Sequence, residues 1–197
     1  MEQGPLHHPH DKLFKATFSN LENAQSFLKG ALPEEVLLQA DWSSLHLLPA
    51  TFIDPRFQDS ESDLLFSVAL GGTQVLLYVL LEHQSSEDPR MPLRLLRYIV
   101  RMWESFARES PLPAKLPPVY PLVVAQSDRR WKTSTRLLDL VGLPTELEPV
   151  LGKFQPSFTF ALVELLGISY DQLWGSAESI HAPVSYTHLT LPTILLV

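Results

Sequence analysis

The chain has 197 residues, 45% of them hydrophobic, which is enough to bury the core of one domain. A formal net charge of −7 excludes a surface coated in phosphate-binding cations, so any nucleic-acid contact must be local. The absence of cysteine excludes disulfides, thiolate zinc sites and a cysteine nucleophile, and no apolar run approaches the ~20 residues of a membrane span.

Residues 1–9 read as a flexible polar tail; His7, His8 and His10 could bind a metal, but a hydrated tail is the plainer reading. No basic region followed by an apolar stretch opens the chain, so no signal peptide is visible and a cytoplasmic location is expected. From Asp11 the run LFKATF predicts a short helix. Ser19 or Asn20 can cap a second helix over 21–32, and Pro33 stops it or opens the next. Residues 45–53, LHLLPATFI, predict a strand that bends at Pro49 or lies at a sheet edge, because proline cannot donate to a central ladder. Residues 54–62 read as a loop.

The run from Asp63 to Gln84 predicts a β-hairpin: two apolar strands around Gly71-Gly72, which supply the positive φ of a tight turn. A turn at Gly72-Thr73, or a four-residue loop over 71–74, sets Asp63 directly opposite Glu82. A Gly71-Gly72 turn pairs Asp63 with Leu80 instead and leaves Glu82 on the same face, one diagonal step away. Only a three-residue loop or a bulge would separate the two carboxylates; directly opposed, they lie close enough to hold one divalent cation, with Gln84 on the face of Glu82. The plainer reading is that both acids mark strand ends at the surface.

Residues 91–109 predict the longest helix, with Pro92 in its first turn. Leu93, Leu96, Val100, Trp103 and Ala107 recur at spacings of three and four and are the expected core-facing stripe. Arg94, Arg97, Arg101 and Arg108 form a basic row beside them. That row is either a solvated face or, next to paired carboxylates, a phosphate-contacting one. Residues 111–118 are a proline-rich connector, and 119–125, VYPLVVA, predict a buried strand. Helix, strand, hairpin, helix, strand is the order of an α/β layer fold. Beyond it, short helices are expected near 135–141 and 158–167.

The wording of several segments carries a resemblance. HDKLFK at 10–15, DLLFSV at 63–68, LLEHQSSEDPRMPLRLLRYIVRMWE at 80–104 and LPPVYPLVV at 116–124 are similar, in order, to the recombination-promoting nuclease and transposase-like family. Ser62-Asp63 followed by Glu82-His83-Gln84 resembles the PD-(D/E)xK nuclease core, with glutamine where the superfamily has lysine. The resemblance spans residues 9–144 and implies an αβββαβ core with a mixed sheet flanked by helices. It divides the chain into a tail at 1–9, a nuclease core at 10–125 and a helical extension at 126–182. A last stretch begins at 183, where PVSYTHLTLPT resembles the conceptual translation of a sequencing-library transposon adapter.

The activity implied is a metal-dependent DNA endonuclease. Asp63, Glu82 and the backbone carbonyl of His83 would hold Mg²⁺ or Mn²⁺, and Asp63, Glu82 and Gln84 would be the catalytic set. Asp11 and Lys15 are auxiliary residues by the same resemblance, and Arg94, Arg97 and Arg101 are the expected contacts to DNA phosphates. Lys15 or Arg94 would supply the charge that Gln84 lacks. Ala125-Gln126-Ser127 stand where the family has a Tyr-His-Gly turn. That change, with Gln84, favours the alternative reading: a nucleic-acid- or partner-binding module without turnover. Homo-oligomerisation is left open.

Overall fold

A computed structural model describes residues 9–49, 63–83, 88–109, 115–127 and 129–166. The chain opens with α1 (Pro9–Ser19), α2 (Leu21–Ala31) and the single turn α3 (Glu34–Leu37). Asn20 fixes the start of α2: its Oδ1 accepts hydrogen bonds from the Glu22 and Asn23 amides at 2.9 and 3.2 Å. Ala24, Leu28 and Ala31 recur every third or fourth residue and are the face α2 buries.

Five strands follow: β1 (Ala40–Leu48), β2 (Asp63–Leu70), β3 (Thr73–His83), β4 (Val119–Ser127) and β5 (Ala161–Leu166), with α4 (Met91–Glu109) between β3 and β4. They form one mixed sheet in the order β1-β2-β3-β4-β5, antiparallel across its first two pairs and parallel across its last two. The turn between β2 and β3 is Gly71-Gly72, with φ of 54° and 80°, so both central residues are left-handed as a two-residue hairpin of this twist requires.

Strand alternation splits the core into two layers. Leu64, Phe66, Val68, Leu77, Val79, Leu122 and Val124 pack against Phe14 and Phe18 of α1 and Leu28 of α2. Leu65, Leu76, Tyr78, Leu80 and Val123 face the other way, onto Met91, Leu95, Tyr98, Ile99 and Met102 of α4. The result is an α/β sandwich with the sheet in the middle, the α/β class expected.

Four sequence expectations are corrected. The strand placed at 45–53 begins five residues earlier, at Ala40, and its described part ends at Leu48; residues 50–53 and the loop expected at 54–62 lie outside the described residues. It does lie at the sheet edge, with a register shift between Asp41 and His46 where the Ser44 hydroxyl accepts the Ala69 amide at 2.8 Å. Helix α4 has the expected bounds, but a different stripe faces the sheet: Met91, Leu95, Tyr98, Ile99 and Met102 are buried while Leu93 and Val100 are exposed. Both stripes have helical spacing, so periodicity alone does not choose between them. The helix expected near 158–167 is strand β5, because the open edge of β4 offers a parallel ladder that a lone short helix cannot match. Residues 125–127 continue β4 as strand. The adapter-like stretch from 183 and the tail at 1–8 lie outside the described residues.

No helix among the described residues is long and apolar enough to cross a membrane.

Candidate active site

Asp63 opens β2 on the face covered by α4 and is only 5% exposed. A buried carboxylate must be compensated by hydrogen bonds or charge. Compensation comes from Tyr78, whose hydroxyl donates to Asp63 Oδ2 at 2.9 Å. The ladder explains the contact. Asp63 pairs with Leu80, so Tyr78 and Glu82 are the two diagonal neighbours of Asp63 across the hairpin, one on each side of Leu80. Tyrosine is long enough to close the diagonal. The register is therefore that of the Gly71-Gly72 turn, and direct opposition of Asp63 and Glu82 does not occur.

Tyr78 leads on to α4. Its ring lies 5.5 Å from that of Tyr98, tilted by 53°. Arg94, one turn before Tyr98, brings Nε to 3.5 Å from the Tyr98 hydroxyl and its guanidinium to 6.0 Å from the Tyr98 ring. Burial, and then the negative charge of Asp63, push the Tyr78 hydroxyl well above the usual tyrosine range, and Arg94 opposes this only in part. Tyr78 is thus a permanently protonated donor at neutral pH. A hydrogen bond of this kind to a charged acceptor contributes about 1.5–3 kcal/mol.

The structure brings some of the expected site residues together and separates others. Asp63 and the position of Glu82 share the α4 face of the hairpin, and Glu82 pairs through its backbone with Ala125 of β4. His83 ends β3 and pairs with Gln126, so its carbonyl belongs to the same strand end. The side chains of Glu82 and Asp11, and the whole of Gln84, lie outside the described residues. Arg94 leans toward Asp63 by way of Tyr98. Arg101 is half-buried and Arg97 exposed on the same helix. Lys15 belongs to α1, which packs through Phe14 and Phe18 on the opposite face of the sheet from Asp63. Of the two cations considered, Arg94 belongs to the helix on the Asp63 face of the sheet and Lys15 to a helix on the other.

Sequence reasoning missed Tyr78 and Tyr98. The signal was present, since Tyr78 has the strand parity of Glu82 and Tyr98 lies four residues after Arg94. Glu164 was also missed. The ladder aligns Glu82, Ala125 and Glu164 in one row, and Glu164 Oε1 accepts the Trp131 amide at 2.5 Å, tying the segment after β4 to β5.

Two carboxylate positions and a backbone carbonyl at one strand end are an oxygen-only donor set, which suits a hard divalent cation such as Mg²⁺ or Mn²⁺ and not a soft one. Among the described residues no group of three or more His, Asp or Glu could hold a metal.

Comparison with known proteins decides the family. The family described as "Putative transposase, YhgA-like" matches residues 8–184. The chain belongs to this family. Among curated relatives, it is 34% identical over 120 residues to the recombination-promoting nuclease RpnC of Escherichia coli strain K12, covering 61% of this chain and 39% of the relative. It is 34% identical over 115 residues to the recombination-promoting nuclease RpnD of Escherichia coli O157:H7, covering 57% of this chain and 44% of the relative. The inactive recombination-promoting nuclease-like protein RpnE of strain K12 is 28% identical over 173 residues, covering 88% of this chain and 56% of the relative. The chain thus spans roughly two-fifths to just over half the length of these relatives. No solved structure matches it. The relatives that the chain resembles thus include proteins named as nucleases and one named as inactive.

Proposed function

We propose that the chain is the catalytic core of a metal-dependent DNA endonuclease acting in the cytoplasm. The observation that carries this reading is the buried Asp63, oriented by the Tyr78 hydroxyl and diagonal to the position of Glu82 on one face of the hairpin. Asp63, Glu82 and the His83 carbonyl would hold Mg²⁺ or Mn²⁺. Once bound, the ion supplies a water of lowered pKa and neutralises charge on the phosphoryl oxygens.

The chain's own residues do the rest. Tyr78 donates to one oxygen of the Asp63 carboxylate and so orients the group. Gln84 orients water by hydrogen bonding but brings no charge. Arg94, on the helix over the same face, supplies the cation for a backbone phosphate, with Arg101 further along the row. The buried layer beneath α4 keeps bulk water from Asp63, which strengthens each of these interactions.

A plasmid-cleavage assay tests the proposal. Nicking or linearisation that requires Mg²⁺ or Mn²⁺ and disappears in Asp63→Ala supports it. The glutamine at 84 and a relative named as inactive favour one second reading, a DNA-binding module without turnover. DNA binding by a wild-type protein that never cuts with either metal would establish that reading.

A further inference from the structure

Helix α4 carries a second apolar stripe that the described residues cover only in part, with Trp103 packed at the edge of the core. Leu93 is 47% exposed and Val100 41%, Leu96 and Trp103 are half-buried, and Ala107 is exposed. Their spacing alternates three and four over five positions, the a/d pattern of a helix that pairs with another helix. The groove beside the stripe, about 320 Å³, is open and is flanked by Arg97, Arg101 and Glu104. At one edge the Trp103 indole is fixed by a 2.8 Å hydrogen bond from Nε1 to the Pro117 carbonyl.

The charges beside the stripe say what covers it. Arg97 and Glu104 each follow a d position by one residue, so both are e positions of the same heptads. They lie seven residues apart, about 10.5 Å along the helix, too far to pair within one chain. An antiparallel copy of α4 that sets Val100 opposite Trp103, and Leu96 opposite Ala107, aligns positions whose numbers sum to 203. In that register each e residue meets the e residue with which it sums to 201, so Arg97 of each copy meets Glu104 of the other. The twofold axis makes this contact twice. A parallel pair would match e with g, and the g positions Pro92, Ile99 and Phe106 carry no charge, with Pro92 and Ile99 buried toward the sheet. The charge pattern therefore complements itself in one orientation.

We infer that α4 is a homodimer interface, formed by antiparallel pairing of this stripe with the same stripe of a second copy. The inference is independent of the nuclease reading. It assigns Arg97 to the interface and leaves Arg94, which leans toward Asp63, to the site. A contact limited to one helix face is small, so the dimer is weak and dependent on concentration.

Sedimentation velocity of the full chain, from low to high micromolar concentration, tests the inference with Arg97→Glu, Glu104→Arg and the double exchange. Both positions are exposed, and circular dichroism verifies that each variant is folded. Each single reversal creates two like-charge contacts and should raise the dimer Kd about tenfold or more. The double exchange restores both pairs and should bring Kd back to within about threefold of wild type. A chain that stays monomeric throughout overturns the inference and points to another covering partner. A dimer indifferent to the single reversals overturns it too, as does one that the double exchange fails to restore.

Discussion

At the residue scale, the hydrogen bond from Tyr78 to Asp63 has the clearest signature. Tyr78→Phe removes the hydroxyl and leaves the buried carboxylate short of a donor, so unfolding free energy should fall by about 1–3 kcal/mol in urea titrations at neutral pH. The pH dependence has a definite sign. The Tyr78 pKa is raised in the folded state, so its contribution is complete below the unfolded tyrosine value of 10.0 and is lost as pH climbs from there toward the folded value. Wild-type stability should therefore decline above about pH 10, and Tyr78→Phe should flatten that decline, leaving what Tyr120, also raised by burial, contributes. An alkaline limb unchanged in the variant would mean that the Tyr78 proton is not held by folding. If glutamine only orients water, Gln84→Ala should slow cleavage by about 10²–10³-fold. Gln84→Lys should preserve or increase it by restoring a cation at that strand position. Equal cleavage by Gln84→Ala and wild type would remove Gln84 from the catalytic set.

At the element scale, two features decide where the site residues stand. One is the hairpin turn, whose register turns Asp63 from the direct partner of Glu82 into its diagonal neighbour. Gly71 has φ of 54°, and a Cβ there would come within 3.3 Å of Gln39 Oε1, so Gly71→Ala should cost about 1–2 kcal/mol by thermal or urea unfolding. A loss below a few tenths of a kcal/mol would show that the turn is not under this constraint. The other feature is the rotation of α4. Leu95 is fully buried against the sheet and Leu93 is 47% exposed. Leu95→Ala should therefore destabilise by about 2–5 kcal/mol and Leu93→Ala, at dimer-free concentrations, by less than about 1 kcal/mol. The reverse order would restore the stripe that sequence periodicity favoured.

At the scale of the whole molecule, the two faces of the sheet divide the work. Helices α1 and α2 seal one face with Phe14, Phe18 and Leu28, and α4 seals the other above Asp63. On the proposed function, an acidic chain of formal net charge −7 would draw nucleic acid through a local basic row, in which Arg94 reaches the Tyr98 hydroxyl beside the Tyr78–Asp63 contact. If Arg94 contacts a phosphate, Arg94→Ala should weaken DNA binding and reduce the slope of log K against log salt by about one unit, read by fluorescence anisotropy across a salt series. An unchanged slope would leave Arg94 as a support for Tyr98 alone.

The sequence by itself determined the elements whose signals are local. Asn20 as a cap, Gly71-Gly72 as a turn, the bounds of α4, and Asp63 and Glu82 on one face of a hairpin all follow from dihedral preference and side-chain period, which neighbours along the chain enforce. Where two answers satisfied the same period, only tertiary packing chose. Two stripes on α4 had helical spacing, and the sheet took Met91, Leu95, Tyr98, Ile99 and Met102 because they lie over Leu65, Leu76 and Leu80. Residues 161–166 could have coiled as a helix, but the free edge of β4 supplied hydrogen-bond partners that a short helix cannot provide for itself. The Asp63–Tyr78 contact and the exclusion of Lys15 from that face came from the same source. Each depends on which residues distant in sequence meet across a ladder or a layer, and no local period encodes that.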